Sequence, residues 1–176
     1  MAFAGTVLFV SQSCTKDPCE TKVCQNAGTT AKVGTDSCAC NCKFGYTGST
    51  CGSVDLSKLV RSYSMTQTGS ASGAKTFTIG VANPSTNTVT ISGFWNNVFV
   101  NTVTGTVSGN TLTIARQEPD ADKFFVAGSA VISFTTDSKP NLVFTYTVTK
   151  EPTGTVGTPG TAVATDAITN ATAAGL

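Results

Sequence analysis

From Ser62 to Thr149 the chain alternates apolar and polar residues with a period of two. That is the pattern of strands with one buried face. Tyr63 and Met65 alternate with Ser62, Ser64 and Thr66, and the pattern breaks at Gly69-Ser70-Ala71-Ser72-Gly73. Phe77, Ile79 and Val81 follow against Thr76, Thr78 and Gly80, ending at a predicted turn over Asn83-Pro84-Ser85. Val89 and Ile91 make the next face, and residues 93–97 interrupt it. Val98 to Ser108 reads as one long strand bulged at Gly105, and Gly109-Asn110 is a two-residue hairpin signal. Leu112 and Ile114 come next, and then an exposed loop over residues 118–122. Phe124, Val126, Ala130, Ile132 and Phe134 share one face, and Leu142, Phe144, Tyr146 and Val148 share the last. Residues 52–61 form a bridge, either a short helical turn or a first strand.

About seven strands at hairpin spacing, each with one apolar face, bury themselves economically only in a sheet closed or folded on itself. The expected fold is all-β: a small disulfide-rich module, then an antiparallel meander of about seven strands as a barrel or sandwich. The expected domain plan is a signal-like apolar segment over 1–13, a disulfide module over 14–52, and a β-domain over 53–150. Residues 151–176 are a Thr/Ala/Gly tail or arm. Those 26 residues hold 7 Thr, 6 Ala, 4 Gly and two charges. With so little apolar bulk they read as a flexible tail or as an extended arm that docks elsewhere. The β-domain, which lacks cysteine, is expected to fold without the disulfide module.

Composition supports the β reading and narrows the function. The chain has 176 residues, 32 of them Thr, and Thr favours strands over helices. A net charge of +1 gives no positive field for nucleic acid. There is no histidine, so the usual general base, the Ser-His-Asp triad and most catalytic zinc sites are missing together. No carboxylate pair, activated Ser or phosphate-binding glycine loop stands out, so neither an enzyme nor a cofactor is expected.

All seven cysteines precede residue 52: Cys14, Cys19, Cys24, Cys38, Cys40, Cys42 and Cys51. So dense a cluster in a short polar segment reads as a disulfide staple, with a metal site at Cys38-x-Cys40-x-Cys42 as the alternative. Residues 40–51, Cys-Asn-Cys-Lys-Phe-Gly-Tyr-Thr-Gly-Ser-Thr-Cys, resemble the second half of an EGF-like module. Asp17-Pro18-Cys19-Glu20 and Cys24 to Thr29 resemble its opening, so the likeness spans residues 17–51. The family places its third cysteine directly after that opening turn, where this chain has Thr30, so Cys38 stands in. The resemblance then implies the pairs Cys19–Cys38, Cys24–Cys40 and Cys42–Cys51.

Cys14 is left over. Residues 1–13, an apolar stretch followed by small and polar residues, resemble the end of a bacterial lipoprotein signal, which implies lipidation at Cys14. The alternative is an ordinary first strand with a free or intermolecular thiol at Cys14. The order of modules is loosely similar to bacterial surface lipoproteins in which a small lipocalin-like domain follows an EGF-like module. That implies export to the outer membrane or cell surface, with membrane contact only through the lipid.

Candidate binding residues are Phe94, Trp95 and Asn97, where aromatics and amides meet at a strand break. The competing reading is that Phe94 and Trp95 plug one end of the barrel. Glu118, Asp120 and Asp122 are oxygen donors that could hold calcium, or they line a solvated loop. The expected function is a non-catalytic binding or adhesion lipoprotein whose partner is a protein or carbohydrate at the cell surface. One alternative is a structural subunit that exchanges a terminal strand, and so a homo-oligomer. The other is a lipocalin-type carrier of a small apolar ligand.

Overall fold

The structure, a computed structural model, describes residues 16–176, with residue 84 described by its backbone alone. Among the described residues twelve strands follow one another. Four belong to the N-terminal module: β1 (Thr29–Val33), β2 (Ser37–Asn41), β3 (Tyr46–Thr47) and β4 (Ser53–Val54). A 3-10 turn over Leu56–Leu59 leads out of it, with the Asp55 carboxylate accepting from the Ser57 amide. Eight strands complete the chain: β5 (Arg61–Gly69), β6 (Gly73–Ser85), β7 (Thr88–Ser92), β8 (Val103–Ser108), β9 (Thr111–Gln117), β10 (Phe124–Phe134), β11 (Pro140–Lys150) and β12 (Ala164–Gly175).

These eight close into a barrel in which each strand pairs with its neighbours in sequence and β12 pairs back onto β5. All eight pairings are antiparallel. An up-and-down sheet closes antiparallel only with an even number of strands, because direction alternates at every turn. The sequence pattern shows seven, and the eighth is the segment expected to be a tail or arm. Residues 164–175 are a barrel strand, so the boundary at 150 cuts the domain short.

The reason lies in β12's side chains and its bulge. Its inward positions are Asp166 and Ile168, then Ala171, Ala173 and Gly175. A register shift between Ile168 and Thr172, where Asn170 takes a positive φ of 54°, moves the buried face from even to odd numbers. The inward residues are small because their partners are large. Ala171 lies opposite Phe144, and Ala173 lies between Leu142 and Met65.

Two other expectations change. No register shift occurs at Gly105, which pairs regularly with Val89. The strand there also begins at Val103, and residues 98–102 form a loop. The turn expected over residues 83–85 lies at 86–87, and β6 runs through a bulge to reach it.

The barrel interior is filled by its own side chains. Tyr63, Met65, Ile79, Ile91, Leu112, Ile114, Ile132, Phe144 and Tyr146 are all at most 2% exposed. They occupy the space a carrier would give its ligand. Tyr63 donates its hydroxyl to Leu59 O at 2.8 Å, and Tyr146 donates to the buried Gln67 amide oxygen. Burial raises the pKa of both phenols, so both stay protonated donors. Outward positions are largely Thr and Ser, such as Thr66, Thr76, Thr104 and Thr106. An apolar interior with a polar exterior is the inverse of a membrane-spanning barrel.

The module is stapled by Cys19–Cys38, Cys24–Cys40 and Cys42–Cys51, the pairing that the resemblance implies. Bonds of this density persist in oxidising compartments and fit an exported protein. The module sits against one end of the barrel. The Phe134 ring, at the end of β10, meets Phe44 and Tyr46 edge-on at 5.8 and 5.2 Å. Gly45 has φ +86°, and a β-carbon there would strike the Phe134 ring, so this turn requires glycine twice over. Asn110, in the β8–β9 turn, donates to Asn26 Oδ1 at 2.8 Å. Cys14 and residues 1–13 lie outside the described residues.

Candidate functional site

The end of the barrel away from the module, hereafter distal, is built from four connections. These are the β5–β6 turn (70–72), the β7–β8 loop (93–102), the β9–β10 loop (118–123) and the β11–β12 loop (151–163). The three expected binding residues, Phe94, Trp95 and Asn97, all fall in the second, and the structure separates them. Phe94 is fully buried and packs on Phe144 and Tyr146, with ring centroids 5.6 and 4.6 Å away. It is the plug. Trp95 lies half-buried above it, between Phe99 and Phe124 at 5.5 and 5.6 Å. Asn97 is exposed.

The backbone here is unusual. Gly93 has φ 70°, and Trp95, Asn96 and Asn97 follow with φ of 50°, 58° and 60°. Three consecutive non-glycine residues are therefore left-handed, a conformation that costs roughly 1–2 kcal/mol per residue and suits Asn better than Trp. Local bonds close the turn: Asn97 N donates to Gly93 O at 3.1 Å and Val98 N to Trp95 O at 3.2 Å.

Buried carboxylates brace the loops. Asp166, 4% exposed on β12, accepts the Trp95 indole Nε1–H on Oδ2 at 2.9 Å. Its Oδ1 accepts the amides of Ala71 and Ser72 at 2.8 and 3.2 Å. A β-carbon at Gly69 would collide with both Asp166 oxygens, so glycine leaves room for the carboxylate. Burial pushes the Asp166 pKa up, but the Ser72 hydroxyl, the Ala71 amide and the Trp95 indole more than offset it, and the pKa lies below the ordinary value.

Glu151 does the same for the longest loop. It accepts from Thr149 Oγ1 at 2.7 Å, Gly160 N at 2.6 Å and both Arg116 Nη atoms at 3.2 and 2.9 Å. The Thr149 hydroxyl leads in lowering its pKa; burial opposes, and the Gly160 amide and Arg116 add to the lowering. Arg116 also stacks 3.8 Å from the Phe125 ring centroid.

Each acidic residue of the β9–β10 loop accepts backbone amides. Asp120 takes those of Val100 and Asn101, both at 2.8 Å. Glu118 takes that of Lys123 at 2.7 Å, and Asp122 that of Phe124 at 3.1 Å. They act as loop fasteners.

With these polar groups engaged internally, the distal end presents apolar surface. Val98, Val100, Val156 and Val163 are 50, 90, 53 and 65% exposed. Beside them a cleft of about 80 Å³ opens between Trp95, Phe124, Val148 and Ala164, with Asp166 in its wall.

No protein-family model and no curated protein matches the chain. Among solved structures it is similar to a multidomain protein including DUF1735 from Bacteroides ovatus, with 13% identity and a TM-score of 0.36. The match covers 64% of this chain and 47% of the other, so this chain spans about half of that protein's length.

Sequence reasoning missed Asp166, Glu151 and Arg116. The signal for Asp166 was present: it is the one charge within residues 152–176.

Proposed function

We propose that the protein is a non-catalytic recognition module displayed outside the cytoplasm. The disulfide module is its spacer and the distal end of the barrel its binding face. Lipidation of Cys14 and a place on the cell surface belong to the same reading. One observation carries it: a strained, left-handed Trp95–Asn97 turn, braced by a buried carboxylate, stands among exposed valines at the end opposite the disulfide module. Backbone strain of this kind collects at binding and active sites, and aromatic anchors ringed by apolar contacts are typical interface centres. The indole N–H is already engaged, so recognition here works by apolar burial, on protein side chains or the C–H face of a sugar. The filled interior speaks against a carrier, and a C-terminal strand held in its own barrel speaks against its donation to a neighbour.

Labelled protein applied to arrays of glycans and extracellular proteins tests the reading. Val100→Glu, at a 90% exposed position, should abolish a saturable signal, and Thr106→Glu, on the barrel wall, should preserve it. Equal binding by both variants would place recognition elsewhere.

A further inference from the structure

Strained loops on barrel ends usually relax unless something holds them, and here the holding group sits on another strand. We propose that Asp166 is a positioning residue that keeps the distal binding loop in one preformed conformation. This inference rests on the recognition reading for its purpose, but its test needs no ligand.

Asp166 joins three segments distant in sequence. It is 71 residues from Trp95 and 94–95 residues from the β5–β6 turn, and it bonds both at once. Either oxygen alone would brace one loop, whereas the two together fix the β7–β8 loop relative to the β5–β6 turn. Its surroundings are fitted to that task. Gly69 leaves space for the carboxylate, the Phe99 and Phe124 rings flank the indole, and Asp166 is 4% exposed, so water competes poorly for its bonds. Without the indole bond, the Trp95 side chain keeps only van der Waals contacts, on a left-handed backbone that disfavours it. A loop ordered before binding loses less entropy when it binds, so a fixed Trp95 raises affinity without adding a contact.

The single tryptophan makes the test specific, since a ¹⁵N-labelled chain gives one indole N–H signal. In the intact protein that proton should exchange slowly with water. Asp166→Asn should speed its exchange about tenfold or more, with the Asn97 amide following, while the amides of Tyr63 and Phe144 in the barrel wall hold their rates. Trp95→Phe is the second arm: it deletes the N–H donor and leaves Asp166 in place. It too should speed exchange at Asn97 and Val98 alone, and it keeps the question decidable if Asp166→Asn does not fold. Unchanged exchange at Asn97 and Val98 in Trp95→Phe would overturn the proposal. So would an acceleration in either folded variant that is equal in the loop and in the wall, because Asp166 would then be a general stabiliser. Neither result bears on whether the distal end binds a partner, which the array experiment decides.

Discussion

Ending the chain at residue 163 deletes β12 and leaves the barrel with seven strands. The structure sets the cost. Nine residues of β11 and five of β5 lose their paired partners, which opens two strand edges. The buried Ile168, Ala171 and Ala173 are removed, and Tyr63, Met65, Phe144 and Tyr146 lose the wall that covers one side of them. Full burial of an isoleucine contributes up to ~3 kcal/mol, each alanine about 1, and partial uncovering of four large side chains about 1 each, so the loss is up to ~9 kcal/mol. A domain of this size has a total stability of about 5–15 kcal/mol. The truncated chain should therefore lack a cooperative thermal transition by circular dichroism and should bind a hydrophobic dye, whereas residues 53–176 retain all eight strands. A cooperative melt of the truncated chain within about 5 °C of the intact one would refute the assignment of β12 as a structural wall.

Other predictions test the site and the module. Phe94→Ala should cost ~3–5 kcal/mol, because it empties a fully buried plug, and Trp95→Ala should cost about 2, because the ring is half-exposed and loses one charged hydrogen bond; melting temperatures in the reverse order would exchange their roles. Asp166 and Glu151 both titrate lower in the folded chain than in the unfolded one. The unfolded state therefore takes up more protons as pH falls through about 4, so the stability they contribute is complete above about pH 5 and is lost below about pH 4. Urea midpoints at pH 6 and pH 3 measure this, and a midpoint that does not fall at pH 3 contradicts it. Replacing Cys42 and Cys51 together by Ser opens a loop of about ten residues and should destabilise the module by ~3 kcal/mol. Barrel amide shifts should change only where the module packs, near Phe134, Asn110 and the β8 residues beside the buried Val54, and changes spread through the barrel would show that the two parts are coupled beyond those contacts.

Much of the barrel is legible because its inward residues are bulky and keep a strict period of two. β10 is the clearest case: Phe124, Val126, Ala130, Ile132 and Phe134 stay in phase along the whole strand, and the two outer rings mark the two rims. β12 is illegible for two reasons. Its inward residues are small to complement Phe144, Leu142 and Met65, and its bulge at Asn170 changes the phase midway, so neither hydrophobicity nor periodicity reports it. The distal site is half legible. Phe94, Trp95 and Asn97 stand out as a cluster, but their division into plug, anchored ring and exposed amide depends on a left-handed turn that composition does not encode. Asp166 belongs to the site only through barrel closure, which brings a residue 71 positions away against the indole.

If the distal end is the binding face, Trp95 reports on it directly, because it is the chain's sole tryptophan. The decisive measurement is the emission spectrum of the protein titrated with whichever glycan or protein the arrays identify, using a partner free of tryptophan. A saturable change in intensity or wavelength is expected, with a midpoint that matches the affinity measured by calorimetry. Saturable binding by calorimetry with Trp95 emission unchanged throughout would contradict it.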